Sequence, residues 1–130
     1  MQKITNFLLF EGKAEEAMNF YVSLFDDSSV EQISRYGAGQ TGREGTVIHA
    51  TFILKGQEFM CIDSYVEHGF SFTAAMSFYV RCDSESEVGK LFDALSAGGT
   101  ILMPLGAYLF SKKYGWVNDR CGVSWQLSYN

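Results

Sequence analysis

The spacing of apolar residues changes period along the chain. Residues 3–10 form a short apolar run that reads as a strand. Beyond Glu11-Gly12, Ala14, Ala17, Met18, Tyr21, Leu24 and Phe25 recur at helical spacing, which puts them on one face of an amphipathic helix. The polar cluster Asp26-Asp27-Ser28-Ser29 ends that helix. Residues 30–36 read as a strand, followed by a glycine-rich stretch from Gly37 to Gly45. Residues 46–54 are β-branched and alternating, and the turn Lys55-Gly56-Gln57 leads into a further strand at 58–63.

The same order returns after a loop through Glu67, His68 and Gly69. Residues 75–81 read as a strand, and Ser84-Glu85-Ser86-Glu87 has the form of a capping box, so a helix is expected to start there. Val88, Leu91 and Leu95 supply its buried stripe, and Gly98-Gly99 stops it. Strands are expected at 100–109, 112–118 and 123–129, with a turn at Asp119-Arg120-Cys121-Gly122. Phe20-Tyr21 with Leu24 is echoed by Leu91-Phe92 with Leu95, and each half closes on a glycine-turn hairpin. This predicts an α+β fold of two βαβββ modules, about residues 1–66 and 72–130, within one domain spanning 1–130. Neither module can cover both faces of its own sheet, so the expectation is one cupped, eight-stranded mixed sheet with the helices outside.

Composition narrows the functional classes. Ten basic against fifteen acidic residues give a formal charge of -5, and no stretch gathers Lys and Arg into a stripe for a phosphate backbone, so nucleic acid is not an expected partner. No apolar run approaches the ~20 residues that span a bilayer, and the N-terminus has no signal-peptide core, so a soluble cytoplasmic protein without a membrane partner is expected. Cys61, Cys82 and Cys121 are odd in number and widely spaced, which favours reduced, packed thiols over a zinc knuckle or redox pair.

Specific stretches carry a family likeness: Ile4-x-x-Phe7-Leu8-x-Phe10, Ala14-Glu15-Glu16-Ala17 leading to Phe20-Tyr21, Ile48-His49-Ala50, Met60-x-Ile62-Asp63, and Trp116-Val117-x-Asp119-x-x-Gly122-Val123-x-Trp125-Gln126. In order and spacing the chain resembles the vicinal oxygen chelate (glyoxalase, bleomycin-resistance and extradiol dioxygenase) superfamily, and its PhnB-like branch in particular. The resemblance implies two curved sheets around a pocket and frequently a homodimer. In metal-dependent relatives a divalent ion is held by His or Glu from the first and last strand of each module. Carried onto this chain, the first-strand position falls at Asn6 and the last-strand position at Gln126, both amides. The second module's first strand offers Ala75, Met76 and Ser77, and only Asp63 remains as a ligand. One carboxylate among neutral amides holds a divalent cation weakly, so no metal cofactor is expected.

Period-2 alternation gathers the remaining candidates. If Ile48, Ala50, Phe52 and Leu54 face the helices, then Val47, His49, Thr51 and Ile53 face the cup; with Met60 and Ile62 toward the helices, Phe59, Cys61 and Asp63 join His49 there. An Asp63-oriented His49 could act as a general base or join Cys61 in a small zinc site. The plainer alternative is a structural hydrogen-bonded pair between neighbouring strands. In the second module Trp125 goes to the core with Val123 and Leu127, leaving Ser124 and Gln126, together with Ser77, to line the cup and contact a ligand, as Asn6 and Cys61 would in the first. Gly37-Ala38-Gly39-Gln40-Thr41-Gly42 matches a dinucleotide fingerprint in letters, but a strand rather than a helix follows it, so it reads as a flexible hairpin loop. Tyr108, Phe110, Tyr114 and Trp116 could stack on a planar ligand or serve as core or dimer contacts.

Two functions compete on these grounds. The first is a metal-free pocket that binds a small organic molecule, completed by homodimerisation. The second is an enzyme centred on His49 and Asp63, of the metal-dependent lyase, isomerase or dioxygenase type or a metal-free acid/base catalyst. The methyltransferase description often attached to PhnB-like chains finds no support in the residues, because no glycine loop here opens a helix.

Overall fold

The computed structural model describes residues 2–130, and the chain divides into two compact units between Ser71 and Phe72. The first unit runs β1 (Asn6–Phe10), α1 (Ala14–Leu24), β2 (Ser28–Arg35), β3 (Val47–Leu54) and β4 (Gln57–Asp63). The second repeats that order as β5 (Phe78–Arg81), α2 (Glu85–Ser96), β6 (Thr100–Tyr108), β7 (Ser111–Asn118) and β8 (Ser124–Tyr129). Each unit is one four-stranded mixed sheet, ordered β1-β4-β3-β2 and β5-β8-β7-β6. In each, the first strand runs parallel to the last and all other pairs are antiparallel. The α+β class and the paired βαβββ order are therefore as the periodicity indicated. Two strands start three residues later than expected, at Asn6 rather than 3 and at Phe78 rather than 75.

In the first unit the helix packs on one face of the sheet. Ala14, Ala17, Met18 and Tyr21 of α1 are buried, as are Leu8 and Phe10 of β1, Ala50, Phe52 and Leu54 of β3, and Phe59 and Cys61 of β4. Phe52 and Phe59 are opposite one another in register and stack at 5.2 Å. Each such large apolar side chain contributes roughly 1.5–3 kcal/mol on burial. The β3–β4 hairpin turns through Lys55 and Gly56, both at positive φ (51° and 82°), the backbone of the type I′ turn that matches the twist of the strands it joins.

In the second unit Val88, Leu91, Phe92 and Leu95 of α2 are buried with Val117 of β7 and Trp125 and Leu127 of β8. Gly115 of β7 lies directly beneath the helix: a Cβ there would come 2.5 Å from the Phe92 ring. Pro104 falls in β6, the edge strand, where its missing N–H disturbs no central ladder. The pairing of β6 with β7 is irregular on both sides of Met103 and of Gly106.

Candidate functional site

Direct partners on neighbouring strands point their side chains to the same face, so the register separates each sheet into a face its own helix covers and a face it leaves uncovered. In the first unit this overturns the expected constellation. Cys61 pairs with Ala50 and Leu8, Phe59 pairs with Phe52 and Asn6, and Asp63 pairs with Phe10. Asn6, Cys61 and Asp63 thus belong to the helix side. Met60 shares the other face with Thr51, and by alternation with Ile62 and His49. The error has a physical source: β4 is apolar on both faces, so alternation alone gave no contrast from which to read its direction.

Each candidate residue then finds a different role. Asp63 is 4% exposed, and both carboxylate oxygens are occupied. Oδ1 accepts the backbone N–H of Gly12 (2.8 Å) and of Ala14 (2.9 Å), and Oδ2 accepts that of Val47 (2.9 Å). The side chain caps α1 from the end of β4, the strand beside β1, and ties in the start of β3. Val47 reaches this side, against expectation, because β3 carries a bulge: Ser34 pairs with His49 and Arg35 with Val47, leaving Ile48 as the extra residue. His49 has Gln32 as its partner, Nδ1 to Oε1 at 3.0 Å, and not Asp63. The Cys61 thiol is pushed up to about 12, first by burial and then by the Asp63 charge. It is held as a buried, protonated thiol at neutral pH.

The glycine-rich loop also has a packing explanation. Gly42 is buried, and a Cβ there would lie 2.4 Å from the Tyr36 ring, whose edge meets Tyr65 at 6.4 Å. Gln40 Oε1 accepts from the backbone N–H of Gly37 (2.6 Å). No helix follows to receive a phosphate.

In the second unit the expected polar residues do come together. Ser124, Gln126 and Ser128 of β8 lie on the face that α2 leaves uncovered, with Asn118, Trp116 and Tyr114 of β7 directly opposite them. Tyr114 Oη donates to Gln126 Oε1 (2.6 Å), Gln126 Nε2 donates to Ser77 Oγ (2.8 Å), and Trp116 Nε1 donates to Ser124 Oγ (2.8 Å). Tyr79 pairs with Gln126 from the β5 side, so an amide is flanked in register by two aromatic residues, Tyr79 and Trp116. The rings of Tyr108, Phe110 and Tyr114 pack on one another at 4.8–5.6 Å. Burial, with smaller contributions from Tyr79 and Tyr108, raises the Tyr114 phenol above its ordinary value, so it stays a neutral donor. Asn118 Oδ1 and Ser128 Oγ on the same face are buried without a hydrogen-bond partner.

Sequence reasoning offered Tyr114 and Trp116 as stacking, core or dimer residues without joining them to Ser124 and Gln126, and it did not name Asn118. The period-2 spacing of the three on β7 carried the signal, but it required knowing which face β7 shares with Gln126. Asp119 was read only as a turn residue. It is 3% exposed, and it accepts from the backbone N–H groups of Cys121 (2.8 Å) and Val123 (3.1 Å) and from Trp125 Nε1 (2.9 Å). It therefore fixes the β7–β8 turn and the core tryptophan.

A family model described as 3-demethylubiquinone-9 3-methyltransferase matches residues 2–128. The chain belongs to this family. A PhnB protein from Bacillus cereus is 66% identical, with a TM-score of 0.97 over 99% of this chain and 100% of its own, so the chain is PhnB-like. The fold extends to more distant structures. A glyoxalase-related enzyme from Fulvimarina pelagi shares 16% identity with a TM-score of 0.61, covering 100% of this chain and 89% of its own. The fosfomycin resistance protein FosX from Listeria monocytogenes, solved with Mn(II) and a dihydroxypropylphosphonic acid, shares 10% identity with a TM-score of 0.66, covering 98% and 92%. These show a glyoxalase-like fold. No curated protein matches the chain. Among the described residues, no helix is long and apolar enough to cross a membrane.

Proposed function

We propose that this PhnB-like protein binds a small organic molecule on the uncovered face of the second unit, and that it does so without a divalent metal ion. The observation that supports this is the chain Ser77–Gln126–Tyr114, whose amide is flanked in register by Tyr79 and Trp116. It joins apolar ring surface to a few oriented neutral polar groups, the usual make-up of a small-molecule site. The unpartnered Asn118 Oδ1 and Ser128 Oγ add to the case, because buried polar atoms ordinarily have a partner and a bound molecule or water would supply one.

The residues do not suit the kind of ion that FosX holds. Asp63 has both oxygens engaged with backbone N–H groups, Asn6 and Gln126 are amides, and His49 is paired with Gln32. Among the described residues, no three His, Cys, Asp or Glu side chains gather in one place. The enzyme reading needed His49 and Asp63 on one face, and no observation favours it now. Exposed apolar residues of the edge strand β6, Ile101 and Leu102, support a homodimer as part of the same proposal.

Titration of aromatic fragments against the protein purified without chelator, read by tryptophan fluorescence and ligand-observed NMR, tests this reading. Saturable binding that Gln126→Leu weakens by about tenfold or more, one hydrogen-bonded contact's worth or slightly above, is the expected result. One tightly held metal ion per chain, lost in Asp63→Asn, would overturn it.

A further inference from the structure

The hydrogen-bond directions on the second unit's uncovered face fix what a ligand must offer. Tyr114 gives its hydroxyl proton to Gln126 Oε1, and Gln126 gives an amide proton to Ser77 Oγ. Ser77 therefore receives a bond and keeps its own proton. Turning the Gln126 amide over reverses the chain: Ser77 then donates to the amide oxygen and Tyr114 keeps its proton. In either sense, two hydroxyls joined through one amide leave one hydroxyl proton that the chain does not use. Trp116 Nε1 can only donate, so Ser124, which accepts from it, likewise keeps its proton. These donors sit beside aromatic residues, and every group in the chain is neutral.

We infer that the ligand is an aromatic compound bearing a carbonyl oxygen, held by the hydroxyl proton that the Ser77–Gln126–Tyr114 chain leaves unused; this rests on the binding reading above. A carbonyl oxygen has two lone pairs and no proton of its own, so it complements hydroxyl donors and leaves the relay intact. The attached ring matches Tyr79 and Trp116 on either side of Gln126. One cation lies nearby on the same strand as Tyr79: the Arg81 guanidinium, 5.9 Å from the Tyr79 ring centroid. A carboxylate is therefore the competing ligand chemistry.

Three probes of similar size separate the possibilities: acetophenone, α-methylstyrene, in which a CH₂ group replaces the oxygen, and benzoate. Affinities are measured by NMR titration, and the acetophenone C=O stretch by infrared difference spectroscopy, on the wild type and on Ser77→Ala and Gln126→Glu, each checked for folding by circular dichroism. In Gln126→Glu a carboxylate accepts from both hydroxyls, so no proton is left over while the side-chain shape is kept. The wild type should prefer acetophenone to α-methylstyrene by about tenfold or more, with a lowered C=O stretch, as a hydrogen bond to the carbonyl requires. Gln126→Glu should shrink that preference to about twofold, the loss of that one bond, and return the stretch to its free value; Ser77→Ala should do the same. Equal wild-type binding of acetophenone and α-methylstyrene would overturn the carbonyl assignment and leave the aromatic pocket standing. Benzoate binding tightest would overturn it in favour of an anion site at Arg81. Failure of all three probes to bind would overturn the small-molecule reading itself.

Discussion

The two units share an element order, yet they hold the first turn of their helix in different ways. In the second unit the solution is local: Ser84 Oγ accepts the backbone N–H of Glu87 (3.1 Å), and Glu87 Oε1 accepts that of Asp83 (2.8 Å). In the first unit the cap comes from far along the chain, at the end of the neighbouring strand β4, where Asp63 collects the N–H groups of Gly12, Ala14 and Val47. The difference bears on function. Asp63 is one of two carboxylates on the first unit's last strand, Glu58 being the other, and both of its oxygens are taken by backbone N–H groups. In the second unit the last strand carries Ser124, Gln126 and Ser128 instead, and these turn to the uncovered face. The first module uses Asp63 to build the fold, and the second turns its polar last-strand residues to the face that its helix leaves uncovered.

The sharpest way to break this comparison is through the long-range cap. Asp63→Ala should cost about 3–5 kcal/mol, because it strands three backbone donors that now bond a charged acceptor; the midpoint of urea unfolding reads the change. Asp63→Asn keeps only part of the acceptor set and should cost about 2–3 kcal/mol in the same experiment. Ser84→Ala should lose only about 1 kcal/mol, the ordinary contribution of a local N-cap, and an Asp63→Ala effect no larger than this would remove the distinction.

Smaller effects come from the thiols. Cys61 is fully buried and pushed up to about 12, whereas Cys121 is partly exposed in the β7–β8 turn. With a disulfide reagent at neutral pH, Cys121 should react at least about a hundredfold faster than Cys61, since reactivity follows thiolate fraction and access. The sign of the linked stability follows. A raised folded-state value leaves the buried thiol's contribution intact below the ordinary 9.0 and drains it as pH rises from 9.0 toward 12, so Cys61→Ala should flatten the alkaline fall in unfolding midpoint.

Much of this was legible in the residues. The Ala14 to Leu24 spacing gives α1, the Ser84-x-x-Glu87 pair gives the start of α2, and the alternation of Trp125 and Leu127 against Ser124 and Gln126 gives the correct faces of β8. The reading failed on β4, where Phe59, Met60, Cys61 and Ile62 leave both faces apolar, and only the register against Ala50 and Leu8 decides between them. The Ile48 bulge then moved Val47 to the opposite side from His49. A cap formed by Asp63 on a helix some fifty residues earlier leaves no local mark in the sequence, and neither does the cross-strand meeting of Tyr114 with Gln126.

The central claim, that the second unit's uncovered face is the binding surface, is tested most directly by the two indole N–H signals. Trp116 donates to Ser124 on that face, and Trp125 donates to Asp119 within the core. In a ¹H–¹⁵N correlation spectrum, titrated acetophenone should move the Trp116 indole signal and the Gln126 side-chain signals in a saturable way while the Trp125 indole stays fixed. A stationary Trp116 signal, with shifts instead clustered at His49 and Thr51 in the first unit, would contradict the account.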